Sequence, residues 1–227
     1  MVHVTEDPDL KVMAIASPPR GGLPAHLLRY RPGTRAVDYL VAYQMLFLVR
    51  LFSCPQGERW EVGSTPSEEA AGIAALGLAD FPHDFSLRML GTIIIQVRTC
   101  SVGYRIDAWI RENLPGLRDQ QEHAIRSQLA ENERVLAPDT RSKFPKALVD
   151  ANTVMNAVFA TSWGRVFREP RLAIPFTAMG YGAKAAQLLA ILEDTPDDPV
   201  ADRALIEGWA KALGLVGTFH FQPYTTT

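Results

Sequence analysis

Phe85 to Gly116 reads FSLRMLGTIIIQVRTCSVGYRIDAWIRENLPG, and what this stretch becomes decides the fold class. Its centre, Thr92-Ile93-Ile94-Ile95-Gln96-Val97, is β-branched and on propensity alone suits a strand as well as a helix. Length resolves the conflict. Phe85 to Asn113 contains no proline before Pro115 forces a break, and about 28 residues free of turn signals make an implausible strand. A long helix, with Gly91 or Gly103 as the place for any bend, satisfies its own backbone groups throughout.

On the carboxyl side, Leu117 to Leu136 places Leu117, Ile125, Leu129 and Leu136 among many charges, the pattern of a helix with one wet face, and Pro138 stops it. Pro145 opens a helix from Lys146 to Trp163, closed by Gly164. Pro175 opens Phe176 to Glu193, and Asp198-Pro199 opens Val200 to Leu213, closed by Gly214. Leu215 to Thr227 alternates through Phe219, His220 and Phe221 and reads as an ordered tail or a short strand.

On the amino side, the helix expected over 36–53 is succeeded by a loop ending in Thr65-Pro66-Ser67-Glu68. There threonine caps, proline takes the first helical position and glutamate reaches back to the cap amide. That helix closes near Gly77, and Asp80 to Asp84 offers the next start. Five of the sixteen prolines fall before residue 36 (Pro8, Pro18, Pro19, Pro24, Pro32) and deny a helix its donors. Residues 1–35 are therefore an extended arm that docks through Leu23, Leu27 and Leu28, with a short helix near Ala25 to Tyr30. No repeat or low-complexity run divides residues 36–227. The reading is an all-α fold: a single multi-helical domain over 36–227 with a short carboxy-terminal tail.

Of 227 residues 47% are apolar, ample for a continuous core, and a net charge of −2 leaves no basic stripe for nucleic acid. The most apolar stretch, Ala36 to Phe52, falls short of the roughly 20 residues a span needs. It also contains Asp38, Gln44 and Arg50, so no membrane partner is expected. Apolar residues all round this helix suit the centre of a core or a side facing a second subunit. Cys54 and Cys100 have neither a disulfide framework nor metal-ligand spacing, and Met1 to Leu10 lacks the apolar region of a secretory signal. A cytoplasmic chain is expected.

Glycine-rich phosphate loops, His-Glu-x-x-His pairs and Gly-x-Ser-x-Gly elbows are missing, and the five histidines are scattered. Glu122 and His123 are adjacent and so point about 100° apart on a helix, which rules out the paired geometry of a di-iron bundle. The informative pattern is Tyr104-x-Ile106-Asp107-x-Trp109, at the end of the long apolar helix and succeeded by Ile110-Arg111 and a break. It resembles the signature region of the carboxymuconolactone decarboxylase and alkylhydroperoxidase-D-like superfamily, Cys-x-Tyr-Cys-Ile-Asp-x-His in redox members. Pro24 to Val49 also looks like that family's first helical pair. The resemblance covers about a third of the chain and implies an alkylhydroperoxidase-D-like helical bundle and a homo-oligomer, often a trimer or a multiple of it.

The departures are chemical. Val102 and Arg105 stand where the redox cysteines would be and Trp109 where the histidine would be, so peroxidase chemistry is not expected. Cys100 lies two residues too early. Residues 98, 102, 105 and 109 share one helix face by their spacing. Arg98, Val102, Arg105 and Trp109 would then bind a small anionic, planar or apolar molecule, since guanidinium groups grip carboxylates and stack on rings. The bland alternative has both arginines pairing with surface acids and Trp109 filling the core. Tyr104 and Asp107 are candidates for acid–base chemistry, as is His83, next to Asp84, which is also a natural cap for the helix dipole.

Two readings stand. One is a cofactor-free, metal-free enzyme of decarboxylase, lyase, isomerase or cyclase type acting on a small carboxylate- or lactone-bearing molecule. The other is a non-catalytic ligand-binding or assembly protein that keeps the fold without the chemistry.

Overall fold

The structure, a computed structural model, describes residues 1–10, 13–19 and 25–225. Among the described residues five short strands are formed: β1 (Val2–Glu6), β2 (Ala14–Ser17), β3 (His26–Tyr30), β4 (Trp60–Gly63) and β5 (His220–Pro223). The helices, nine among the described residues, are α1 (Val37–Ser53), α2 (Pro66–Ala75), α3 (His83–Asn113), α4 (Arg118–Glu133), α5 (Pro138–Arg141), α6 (Lys146–Phe167), α7 (Ile174–Ala178), α8 (Gly182–Asp194) and α9 (Asp202–Ala212). The fold is all-α and multi-helical, and the β-branched run in 92–97 is helical as its length requires. None of the helices is long and apolar enough to cross a membrane.

Contacts divide the chain into two units that alternate along the sequence. The first takes Met1–Glu61, Arg105–Arg126 and Gln222–Thr227, the second Val62–Tyr104 and Ser127–Phe221. In the first, Val2–Glu6, Ala14–Ser17 and His26–Tyr30 form a sheet ordered β1-β3-β2, with β1 parallel and β2 antiparallel to β3. The helix expected near Ala25 to Tyr30 is therefore the central strand of that sheet. A helix this short gains little stability of its own, whereas strand pairing on both edges satisfies the backbone, and Leu28, fully buried, faces the interior. Leu23 and Pro24 lie outside the described residues. α1 packs on β2 and β3. Burial is confined to one side of α1: Tyr39, Leu40, Phe47 and Leu48 are covered, while Met45 and Val49 are 37% and 52% exposed.

The second unit is built on α6, which buries Leu148, Val154, Met155, Val158 and Trp163 and contacts α7 and α8. Trp209 of α9 is fully buried and its indole N–H donates to the Leu188 carbonyl of α8 at 3.0 Å. The capping box of α2 forms as its sequence dictates: the Glu68 amide donates to Thr65 Oγ1 and the Thr65 amide to Glu68 Oε2. Glu68 also meets His220 Nδ1 at 2.7 Å.

Three punctuation marks act differently from their sequence reading. Gly164 does not close α6, which runs three residues further to a left-handed Arg168 cap. Its missing side chain instead makes room for the returning chain, since a Cβ there would lie 3.0 Å from the Glu169 carbonyl oxygen. The helix expected over 176–193 is broken, because Gly180 at φ +89° ends α7 before α8 begins. Pro138, expected only as a stop, takes the first position of α5.

Candidate functional site

Asp107 lies within the last two turns of α3 and is buried, 3% exposed. Its carboxylate accepts a hydrogen bond from the Tyr39 hydroxyl at 2.7 Å and one from Gln121 Nε2 at 3.3 Å. The same Gln121 nitrogen donates to the Asp107 carbonyl at 2.8 Å. Each partner is fixed by its own element. Tyr39 stands in the first turn of α1, whose start has no side-chain cap of its own, and Gln120 of α4 supplies one. Its Oε1 accepts from the Tyr39 amide at 3.2 Å while its Nε2 donates to Asp38 at 2.9 Å. Gln121, the next residue, is thereby turned inward onto α3.

Burial pushes the Asp107 carboxyl up to about 7 from an ordinary 3.8, against the opposing pull of the hydrogen bonds from Tyr39 and Gln121. Tyr39 moves the same way: burial and the facing carboxylate hold its hydroxyl well above 10, so it remains a donor. The side-chain oxygen of Gln121, fully buried, accepts no hydrogen bond within the described residues. A carboxyl that is half ionised near neutrality, held by a phenol and an amide, can take up or release a proton at physiological pH.

The other nominated residues have different surroundings. Arg105 and Val102 are buried, whereas Trp109, one helical turn beyond Arg105, is 46% exposed. The row 98, 102, 105, 109 therefore passes from interior to surface rather than facing one enclosed hollow. Arg98 and Tyr104 are half-buried. His83 is exposed at the first residue of α3 and stands at the opposite end of that helix from Asp107, so the two belong to no common acid–base pair. Burial pushes the Cys100 thiol up to about 12, which removes the thiolate a redox role needs.

Sequence reasoning nominated Asp107 but not Tyr39 or Gln121, the side chains that meet it. A signal for Gln121 exists: 117, 121, 125 and 129 repeat at four-residue spacing, and a glutamine completes an otherwise apolar stripe. A polar side chain at such a position needs a buried partner. Tyr39, inside an apolar helix, carries no comparable mark. No protein-family model, curated protein or solved structure matches this chain.

Proposed function

We propose that the chain is a cofactor-free acid–base enzyme acting on a small carboxylate- or lactone-bearing molecule, with Asp107 as the group that exchanges the proton. The observation that carries this reading is the buried Tyr39–Asp107–Gln121 cluster, with the carboxyl poised near 7 and a donor at 2.7 Å. Tyr39 orients the carboxylate. The open acceptor on Gln121 is a place for a hydroxyl of the bound molecule. Arg105 and Trp109, nominated for the substrate's anion and ring, each stand two residues from Asp107 and so on the far side of α3, and this reading gives them no contact with the reacting group. The Cys-x-Tyr-Cys-Ile-Asp-x-His resemblance supports the non-redox form of the chemistry, because the positions of both cysteines are filled by Val102 and Arg105. Since Asp107 is closed off from solvent, catalysis requires the contact between α1 and α3 to open when the molecule binds.

A panel of small aromatic and lactone carboxylates tests this by thermal shift, with turnover then measured for any member that binds. Turnover should rise with pH to a half-point near 7 and fall by about 10²–10⁴ in Asp107→Asn. No stabilising compound in the panel, or turnover indifferent to Asp107→Asn, overturns the reading.

A second reading is favoured by Met45 and Val49, which lie four apart on α1 and are exposed on one face. That strip suits an assembly subunit, and homo-oligomerisation, trimeric under the family resemblance, is proposed with it. A strict monomer by light scattering counts against this second reading alone.

A further inference from the structure

Within the second unit, the ends of α2 and α9, the start of α8 and the first turns of α6 surround a cleft of about 520 Å³, a volume ordinary for small-molecule sites. Its floor is apolar, formed by the buried Leu76, Ala151 and Val154, and Ala147 and Leu213 complete the apolar lining. Its rim is cationic. Lys184 and Lys211 line it, and neither makes an ion pair within the described residues. Among the described residues the only carboxylate on the wall, Asp150, is already engaged: it pairs with Lys146 and accepts the Tyr181 hydroxyl at 2.8 Å. Arg141 donates to that hydroxyl at 3.2 Å and lies over the ring at 5.9 Å, adding a further positive charge beside the cleft.

Lys211 has a local explanation, since it occupies the last turn of α9 where the helix dipole favours a cation. Lys184 has none. It is the third residue of α8, where the dipole opposes a cation, and that first turn holds no acidic residue and no side-chain cap. An uncompensated helix start and a lysine opposed to its dipole are both relieved by one anion placed between them. We propose that this cleft binds a phosphomonoester of a small, partly apolar molecule. Phosphate is favoured over carboxylate because lysines bind as point charges rather than as planar forks. The apolar floor calls for a short hydrocarbon or aromatic body on the ester. This site is separate from Asp107 and independent of the acid–base reading.

Isothermal titration calorimetry with phenyl phosphate and with inorganic phosphate tests it on the full chain. Phenyl phosphate should bind more tightly than inorganic phosphate, because only the ester covers the floor. Its affinity should drop at least about tenfold in the double variant Lys184→Gln/Lys211→Gln. Both side chains are exposed, so the variant folds, which an unchanged circular dichroism melt verifies. No binding of phenyl phosphate to the parent, affinity equal to that of inorganic phosphate, or a loss under tenfold in the variant each overturns the proposal. A second variant, Val154→Trp, fills the floor and should abolish the preference for the ester while sparing inorganic phosphate. A preference that survives it also overturns the proposed seat.

Discussion

Asp107→Asn separates the energetic cost of this residue from its use. An asparagine keeps an oxygen that accepts from Tyr39 and Gln121, but it never carries the charge that burial opposes. The carboxyl's proton affinity is higher in the folded chain, about 7 against 3.8, so the unfolded chain releases its proton first as pH rises. Asp107 therefore leaves stability intact at low pH and removes it progressively as pH climbs from about 4 to about 7. The deficit is therefore on the order of 1 kcal/mol at pH 5 and several kcal/mol at pH 8. The Asn variant escapes this, so its advantage over the parent should widen by roughly 2–3 kcal/mol between pH 5 and pH 8. In melting temperature that is about 5–10 °C for a chain of this size. Urea unfolding of both proteins at pH 5, 6, 7 and 8 measures it. A gap that stays constant across the series refutes the placement of a titrating carboxyl in this interior. If the acid–base proposal also holds, the same variant gains stability at pH 8 and loses turnover, the usual exchange at a site built around a strained charge.

Tyr39→Phe removes the 2.7 Å donor. It should destabilise the chain by about 1–3 kcal/mol at pH 8, where the carboxylate is ionised, and by less at pH 5, so equal losses in urea at the two pH values contradict the assigned bond. Neither Cys54, which is buried, nor Cys100, held at about 12, should react with a disulfide reagent in the native chain at pH 8. Both should react after unfolding, and prompt native labelling of either would show that the burial is wrong. Gly164→Ala sets a methyl 3.0 Å from the Glu169 carbonyl oxygen and should lower stability by about 1–3 kcal/mol, whereas an unchanged melt would mean that the chain beyond α6 returns less closely.

The helices were legible where the chain carries its own punctuation. Thr65-Pro66-Ser67-Glu68 specifies α2 by local hydrogen bonds alone, and the proline-free run to Asn113 specifies α3 by length. The strands at the amino terminus were not legible, because β3 owes its conformation to neighbours well separated in sequence: Val2 pairs with His26 and Ala14 with Tyr30. A glycine can mark either a terminus or a close approach, and Gly164 proved to be the second. At the candidate site, spacing placed Asp107 on the helix but could not reveal which side chains from α1 and α4 would meet it. The cleft rimmed by Lys184 and Lys211 depends on helix ends far apart in the chain, and no motif announces it.

The two compact units are woven rather than strung: the polypeptide passes from one to the other four times, after Glu61, Tyr104, Arg126 and Phe221. Two of those passages fall inside α3 and α4, in mid-helix. No single cut in the backbone releases either half intact. Trimming the amino end takes β1 from β3, and trimming the carboxyl end takes β5 from β4. Limited proteolysis should therefore yield either the whole chain or small peptides, with no stable intermediate fragment.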